Sequence, residues 1–219
     1  MILLEELYNK YKSDKGSSVD GAHNYYRVYE PIFEKYRHEE INLLEIGIFR
    51  ANSFRAHVEY FTKAKIYGLD IFDRIKYNDP RYNDLKNNKN VTLIEGNSTN
   101  PSCLKKFSDI KFDIIIDDGS HHPMDQMQTF NIFWDLLNRG GTYFIEDIWP
   151  QHLLSDEDVE KDISKWKPLN RYLFLPEFRE KLNFYKIFYD EMIDKDAIEW
   201  DLRQLSNRPN SFVFQIDHV

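Results

Sequence analysis

Asp118, His121, Glu146 and Asp147 are the residues whose types and spacing could do chemistry in this 219-residue chain. Asp118 follows the apolar run Ile114, Ile115, Ile116 and Asp117, whereas Glu146 and Asp147 follow a second run, Thr142 to Ile145. Short β-branched runs of this kind fill strands that are covered on both faces. In a parallel sheet the carboxyl ends of neighbouring strands open on one crevice, so the three acids should converge although they are far apart in sequence. Carboxylates crowded in a dry crevice repel one another and hold on to protons. A hard divalent cation such as Mg²⁺ removes that conflict, because it prefers oxygen ligands and keeps waters that a substrate can displace. Asp118, Glu146 and Asp147 are therefore expected metal ligands, and His121, at the mouth of the crevice, an expected base near neutral pH. His122 is expected to play a structural part, and His23 and His152 to be solvated or to border the acceptor.

These residues need a frame, and the chain supplies strand patterns in the right order. Ile41 to Ile48, broken by Glu45 and closed by Gly47, reads as the first central strand. Asn52-Ser53 reads as the cap of an amphipathic helix carrying Phe54, Val58, Tyr60 and Phe61. Lys65 to Asp70 is the second strand, and Asp70, at the spacing beyond the glycine turn where a carboxylate accepts ribose hydroxyls, suits either that role or a helix cap or solvated strand end. Val91 to Ile94 is the third, ending at Asn97 and Ser98, which suit either a purine edge or a turn. Phe112 to Ile116 is the fourth. A helix is expected over Met124 to Leu137, with Met127, Phe130, Phe133, Trp134 and Leu137 as its core stripe, before the fifth strand at Thr142. The polar segment Asp73 to Asn90 reads as an exposed irregular segment or a short helix bordering the pocket. Ala197 to Leu202 and Ser211 to Ile216 flank a turn and suggest a terminal antiparallel hairpin.

Composition narrows the class. With 42% hydrophobic and 16% aromatic residues the chain can bury one substantial core. A net charge of −8 argues against nucleic acid as the main partner. The N-terminus fits neither a signal peptide nor a spanning helix, so a cytoplasmic protein without membrane attachment is expected. A single cysteine, Cys103, excludes an intrachain disulfide and reads as a small buried hydrophobe.

SDKGS at Ser13 to Ser17, YEP at Tyr29 to Pro31, LLEIGI at Leu43 to Ile48, GLDI at Gly68 to Ile71, IDDGSH at Ile116 to His121 and GTYFIEDIW at Gly141 to Trp149 occur together. This combination resembles the metal-dependent sugar O-methyltransferases of macrolide biosynthesis. The resemblance implies an α/β fold, doubly wound, with a mostly parallel seven-stranded sheet ending in a C-terminal antiparallel hairpin. It implies S-adenosylmethionine and Mg²⁺ as cofactors, Asp118, Glu146 and Asp147 as metal ligands and His121 as the base. Lys15, Tyr29, Glu45, Gly47, Ser53, Asp70, Asn97, Ser98 and Asp117 become the cofactor-binding set, with Lys15 and Tyr29 over the methionine part. One domain is expected: a helical cap over 1–40, the cofactor and metal core over 41–148, an acceptor-side insertion over 149–199 and the terminal hairpin over 200–219. Two departures stand out. Phe49-Arg50-Ala51-Asn52 replaces the usual further glycines, so the cofactor loop must be wider or differently folded, and Asn97 replaces the usual acid after the third strand.

The expected reaction is methyl transfer to a hydroxyl of a sugar or glycan-type small-molecule acceptor, with homo-oligomerisation left open. A phosphate-like oxygen, or an amide on a decorated polysaccharide, would use the same metal geometry. A nicotinamide-dependent reductase is disfavoured, since no G-x-G-x-x-G follows the first strand. A metal-dependent hydroxylase lacks a 2-His-1-carboxylate signature, and a non-catalytic cofactor-binding protein would leave the acid cluster without a purpose.

Overall fold

The computed structural model describes residues 2–108, 110–121, 123–147, 185–188 and 213–217. Five parallel strands form its centre: β1 (Asn42–Ile46), β2 (Lys65–Asp70), β3 (Val91–Glu95), β4 (Phe112–Asp117) and β5 (Leu137–Ile145). They are hydrogen-bonded in the order β3-β2-β1-β4-β5. Chain order reverses direction across the sheet between β1 and β4, the switch point at which ligands of such sheets bind. Two short strands lie beyond β5: β7 (Val213–Asp217) runs antiparallel to β5, and β6 (Tyr185–Phe188) runs antiparallel to β7. Ala197 to Leu202, the expected first arm of the hairpin, lies outside the described residues, as do His122, His152 and nearly all of 149–199.

The apolar runs are continuous because both faces of the sheet are covered. Leu43, Ile114 and Ile116 enter one core, with Phe54, Tyr60 and the rings of the N-terminal segment. Leu44, Ile46, Ile115 and Tyr143 enter the other, with Phe130 and Phe133. The first core is roofed by α1 (Leu4–Lys10), α2 (Tyr26–Phe33) and α3 (Asn52–Tyr60), and the second by α5 (Pro123–Phe133), with the short α4 (Asn83–Lys86) before β3. Among the described residues, no helix is long and apolar enough to cross a membrane.

Two boundaries differ from expectation. The helix expected through Leu137 ends at Phe133, a 3-10 turn covers Trp134–Leu136, and Leu137 already pairs with Phe112 in the sheet. The register shift that follows places Thr142 beside Ile114, so the glycine pair lies inside an irregular stretch of β5. The core stripe itself is buried as expected. Asn52-Ser53 does not cap α3, because Ala51 takes that position in the left-handed conformation at φ 59°. The Asn52 amide donates to Lys12 O, and the Ser53 hydroxyl donates to Glu45.

Candidate active site

Asp118, His121 and Asp147 present ligand atoms that lie within 4.8 Å of one another. Asp118 leaves the end of β4 and Asp147 the end of β5, so the parallel pairing that places Asp117 beside Ile145 brings them together. His121 and Asp147 both hold left-handed backbone, at φ 58° and 55°. Side chains rarely adopt that conformation, and where it persists it marks a position over-determined by its surroundings. His121 Nε2 stands 3.5 Å from Asp147 Oδ2 and 3.8 Å from Asp118 Oδ1, while its buried Nδ1 has no partner among the described residues. Burial pulls the His121 pKa down, against the pull of Asp147, so the ring is neutral at neutral pH and able to take a proton.

Glu146, expected as the third metal ligand, stands in the same cluster and shares Lys15 with Asp118. It is fully buried, and both of its oxygens are used inside the protein. Oε1 accepts from the Tyr29 hydroxyl and Oε2 from Lys15 Nζ at 2.6 Å. Lys15 also reaches Asp118 Oδ2 at 2.5 Å, and the Tyr25 hydroxyl donates to Asp147 Oδ1 at 2.5 Å. The N-terminal segment therefore braces all three acids. Lys15 and Tyr29, expected at the cofactor, stand in the acid cluster, because the loop after α1 and the inner face of α2 pack over the ends of β4 and β5. Tyr25 was not among the expected site residues, although its four-residue spacing from Tyr29 puts both hydroxyls on one helix face.

One ammonium faces three carboxylates, and the cluster is under-compensated. Burial first, and the neighbouring Asp147, push Glu146 up to about 8 against the opposing effect of Lys15. Asp118 is raised well above the usual carboxylate range by burial and by Glu146. Burial would lower Lys15, but Asp118 and Glu146 outweigh it and hold the ammonium charged. Asp117 points to the other face, accepting from Gly119 N at 3.2 Å, with Oδ2 lacking a partner among the described residues, and burial raises it to about 7. This donor set suits a hard divalent cation: two carboxylates converge beside the His121 imidazole, and added positive charge would release the protons that repulsion retains.

The neighbouring end of the crevice is built from backbone. Gly47, at φ 85°, follows β1, and a Cβ there would lie 2.0 Å from the Asp118 carbonyl oxygen, so only glycine fits. Asp70 Oδ2 accepts from Ile48 N and Phe49 N, both at 2.9 Å, and Oδ1 accepts from Phe72 N at 2.7 Å. Three of the carboxylate's four lone-pair sites are thus used, and Oδ1 keeps one for a hydroxyl. Glu45 turns away from this crevice: its oxygens take Ser53 Oγ and His57 Nδ1, and His57 Nε2 meets the Tyr8 hydroxyl at 2.7 Å. Glu45 and Ser53 thus support the donor side from beneath. Asn97 caps its own turn by accepting from Thr99, and Ser98 bonds Thr129 at 2.9 Å.

Residues 44–148 match a family model described as a methyltransferase domain. Demethylmacrocin O-methyltransferase of Streptomyces fradiae is 33% identical over 155 residues, covering 67% of this chain and 36% of that protein. The 8-demethyl-8-alpha-L-rhamnosyl tetracenomycin-C 2'-O-methyltransferase of Streptomyces olivaceus is 30% identical, covering 62% of this chain and 37% of that protein. The chain spans little more than a third of the length of these relatives. The solved MycE methyltransferase of the mycinamycin pathway, in complex with Mg, SAH and mycinamycin VI, superposes with a TM-score of 0.55 at 27% identity, over 69% of this chain and 38% of that one. The SAH-bound Podospora anserina methyltransferase PaMTH1 shares the fold at a TM-score of 0.57 and 18% identity, over 100% of this chain and 88% of that one. Sequence match and fold likeness agree that residues 44–148 form a methyltransferase domain.

Proposed function

We propose that this crevice transfers a methyl group from S-adenosylmethionine to a hydroxyl of a sugar-type acceptor, with Mg²⁺ at the acid cluster. The observation that carries the reading is the convergence of Asp118, His121 and Asp147 within 4.8 Å, beside the glycine turn that follows β1. Relatives named for O-methylation of a rhamnosyl tetracenomycin, and a neighbour solved with Mg, SAH and a macrolide, support it. The reading also assigns β6 and β7 to the reversed hairpin that closes a seven-stranded methyltransferase sheet.

Asp118 and Asp147 would hold the cation directly, and Glu146 adds its charge from behind them, fixed by Lys15 and Tyr29. When bound, Mg²⁺ supplies Lewis-acid chemistry that lowers the pKa of an acceptor hydroxyl. His121 takes the hydroxyl proton on Nε2. The oxygen would then attack the sulfonium methyl of S-adenosylmethionine, a C–O bond forming as the C–S bond breaks with its electron pair left on sulfur. Sulfur leaves neutral, so no acid is needed on that side. The remaining work is alignment of oxygen and methyl carbon. Asp70 would receive the ribose hydroxyls, while Asn97, Ser98 and Asp117 border the purine side.

The test is a panel of glycans and sugar nucleotides with labelled S-adenosylmethionine, with and without a chelator. Transfer should require the divalent cation. His121→Ala should lower turnover by about 10² or more while leaving S-adenosylhomocysteine affinity intact. Full turnover in that variant at neutral pH would remove His121 from the base role.

A further inference from the structure

The loop Gly47 to Asn52 lacks the glycines that usually give a cofactor loop its shape, yet Phe49 and Ala51 both hold left-handed backbone, at φ 40° and 59°. Each such residue is unfavourable without a Cβ-free side chain. Something must hold the loop, and beside the Asp70 carboxylate on its amides, Arg55, one turn into α3, reaches its carbonyls. Arg55 Nη1 donates to Arg50 O at 3.0 Å and to Ala51 O at 3.2 Å. Its Nη2 donates to Arg81 O, and Nε and Nη2 grip Asp84 at 2.9 and 3.1 Å. From the same polar segment, the Tyr82 hydroxyl donates to Phe49 O. A planar guanidinium can serve several carbonyls and a carboxylate at once, which an ammonium cannot.

We propose that Arg55, locked by Asp84 and joined by Tyr82, is the positioning residue that substitutes for the missing glycines and keeps this loop in register with Asp70. This rests on the reading of the crevice as an S-adenosylmethionine site. The loop amides of Ile48 and Phe49 are bonded to the Asp70 carboxylate, so loop conformation and carboxylate orientation are set together. The segment from Asp79 to Asn90 is thereby the outer half of a clamp, with Phe49, 45% exposed, at its lip.

Calorimetry with S-adenosylhomocysteine on the full chain tests the proposal, alongside hydrogen exchange of the Ile48 and Phe49 amides. Arg55→Ala should speed exchange at both amides and weaken the ligand by about ten-fold. The loss should fall on KM for S-adenosylmethionine more than on kcat, and Mn²⁺ binding at the acid cluster should not follow it. Arg55→Lys should recover little, because it cannot span the two loops. Adding Ala51→Gly, which removes the left-handed penalty, should return about five-fold of the lost affinity in the Arg55→Ala background. Unchanged amide exchange in Arg55→Ala, or no recovery with Ala51→Gly, would overturn the clamp. Wild-type protein that fails to bind S-adenosylhomocysteine would overturn the cofactor reading instead, and the exchange measurement would still judge the clamp.

Discussion

Glu45, beneath the donor loop, and Glu146, in the acid cluster, are both fully buried on one sheet, yet their surroundings shift them in opposite directions. Burial raises both. At Glu45 the imidazole of His57, with the Lys15 ammonium and the hydroxyl of Ser53, outweighs that effect and holds the carboxyl below its usual range. At Glu146 one ammonium and one phenol stand against further carboxylates, and the group rises to about 8. Burial alone therefore distinguishes nothing. The count of compensating donors does: the Glu45 region is complete, whereas the Glu146 region is short of positive charge and stores repulsion that a cation would relieve.

The contrast is most exposed to attack at Glu45. Glu45→Ala leaves Ser53 and His57 with unmatched polar groups in a dry core and should cost about 3–5 kcal/mol in urea denaturation. A loss below about 1 kcal/mol would mean that the His57–Tyr8 pair stands without its carboxylate. Next in size is the dependence of stability on pH. Glu146 and Asp117 rise from 4.5 and 3.8 to about 8 and about 7 on folding. Their contribution is fully present below the unfolded values and is lost as pH rises through the folded ones. Glu45 runs the other way, contributing above its ordinary range and losing that contribution as pH falls through its lowered folded value. In chelator, the thermal midpoint should drop by several degrees between about pH 5 and 8, and a divalent cation should flatten the drop. A level midpoint over that window would break the comparison.

Smaller still is the effect of thinning the charge. Asp118→Asn keeps an oxygen for Lys15 but removes one repelling carboxylate, so the chelated protein should gain about 1 kcal/mol while Mn²⁺ affinity by electron paramagnetic resonance falls sharply. Unchanged Mn²⁺ affinity would take Asp118 off the ligand set. At the lower end, Tyr8→Phe removes one hydroxyl from His57 and should cost about 1 kcal/mol with no change in Mn²⁺ binding. Any coupling between the two would show that the regions are not separate.

The five central strands were legible because covered strands write their burial into consecutive residues, and acids such as Asp118 and Asp147 mark strand ends locally. The α5–β5 boundary was not, since Trp134 to Leu137 are apolar in either conformation and only pairing with Phe112 decides. Lys15 was expected at the donor because the resemblance puts the SDKGS motif there, whereas its hydrogen-bond partners lie 103 and 131 positions away. Long flexible side chains choose such partners by charge, which spacing does not record. Phe49 and Ala51 were illegible for another reason: a left-handed residue without glycine is imposed by Arg55 and Tyr82 from outside the loop.

Gly47 and Asp118 meet backbone to backbone, with 2.0 Å left where a Cβ would stand. Under the proposed reaction the methyl donor hangs from one side of that contact and the acceptor from the other. The reach of the transfer is then a main-chain dimension, insulated from changes in the crevice walls. Acceptor range can drift by substitution in those walls without re-tuning the distance over which the methyl group travels.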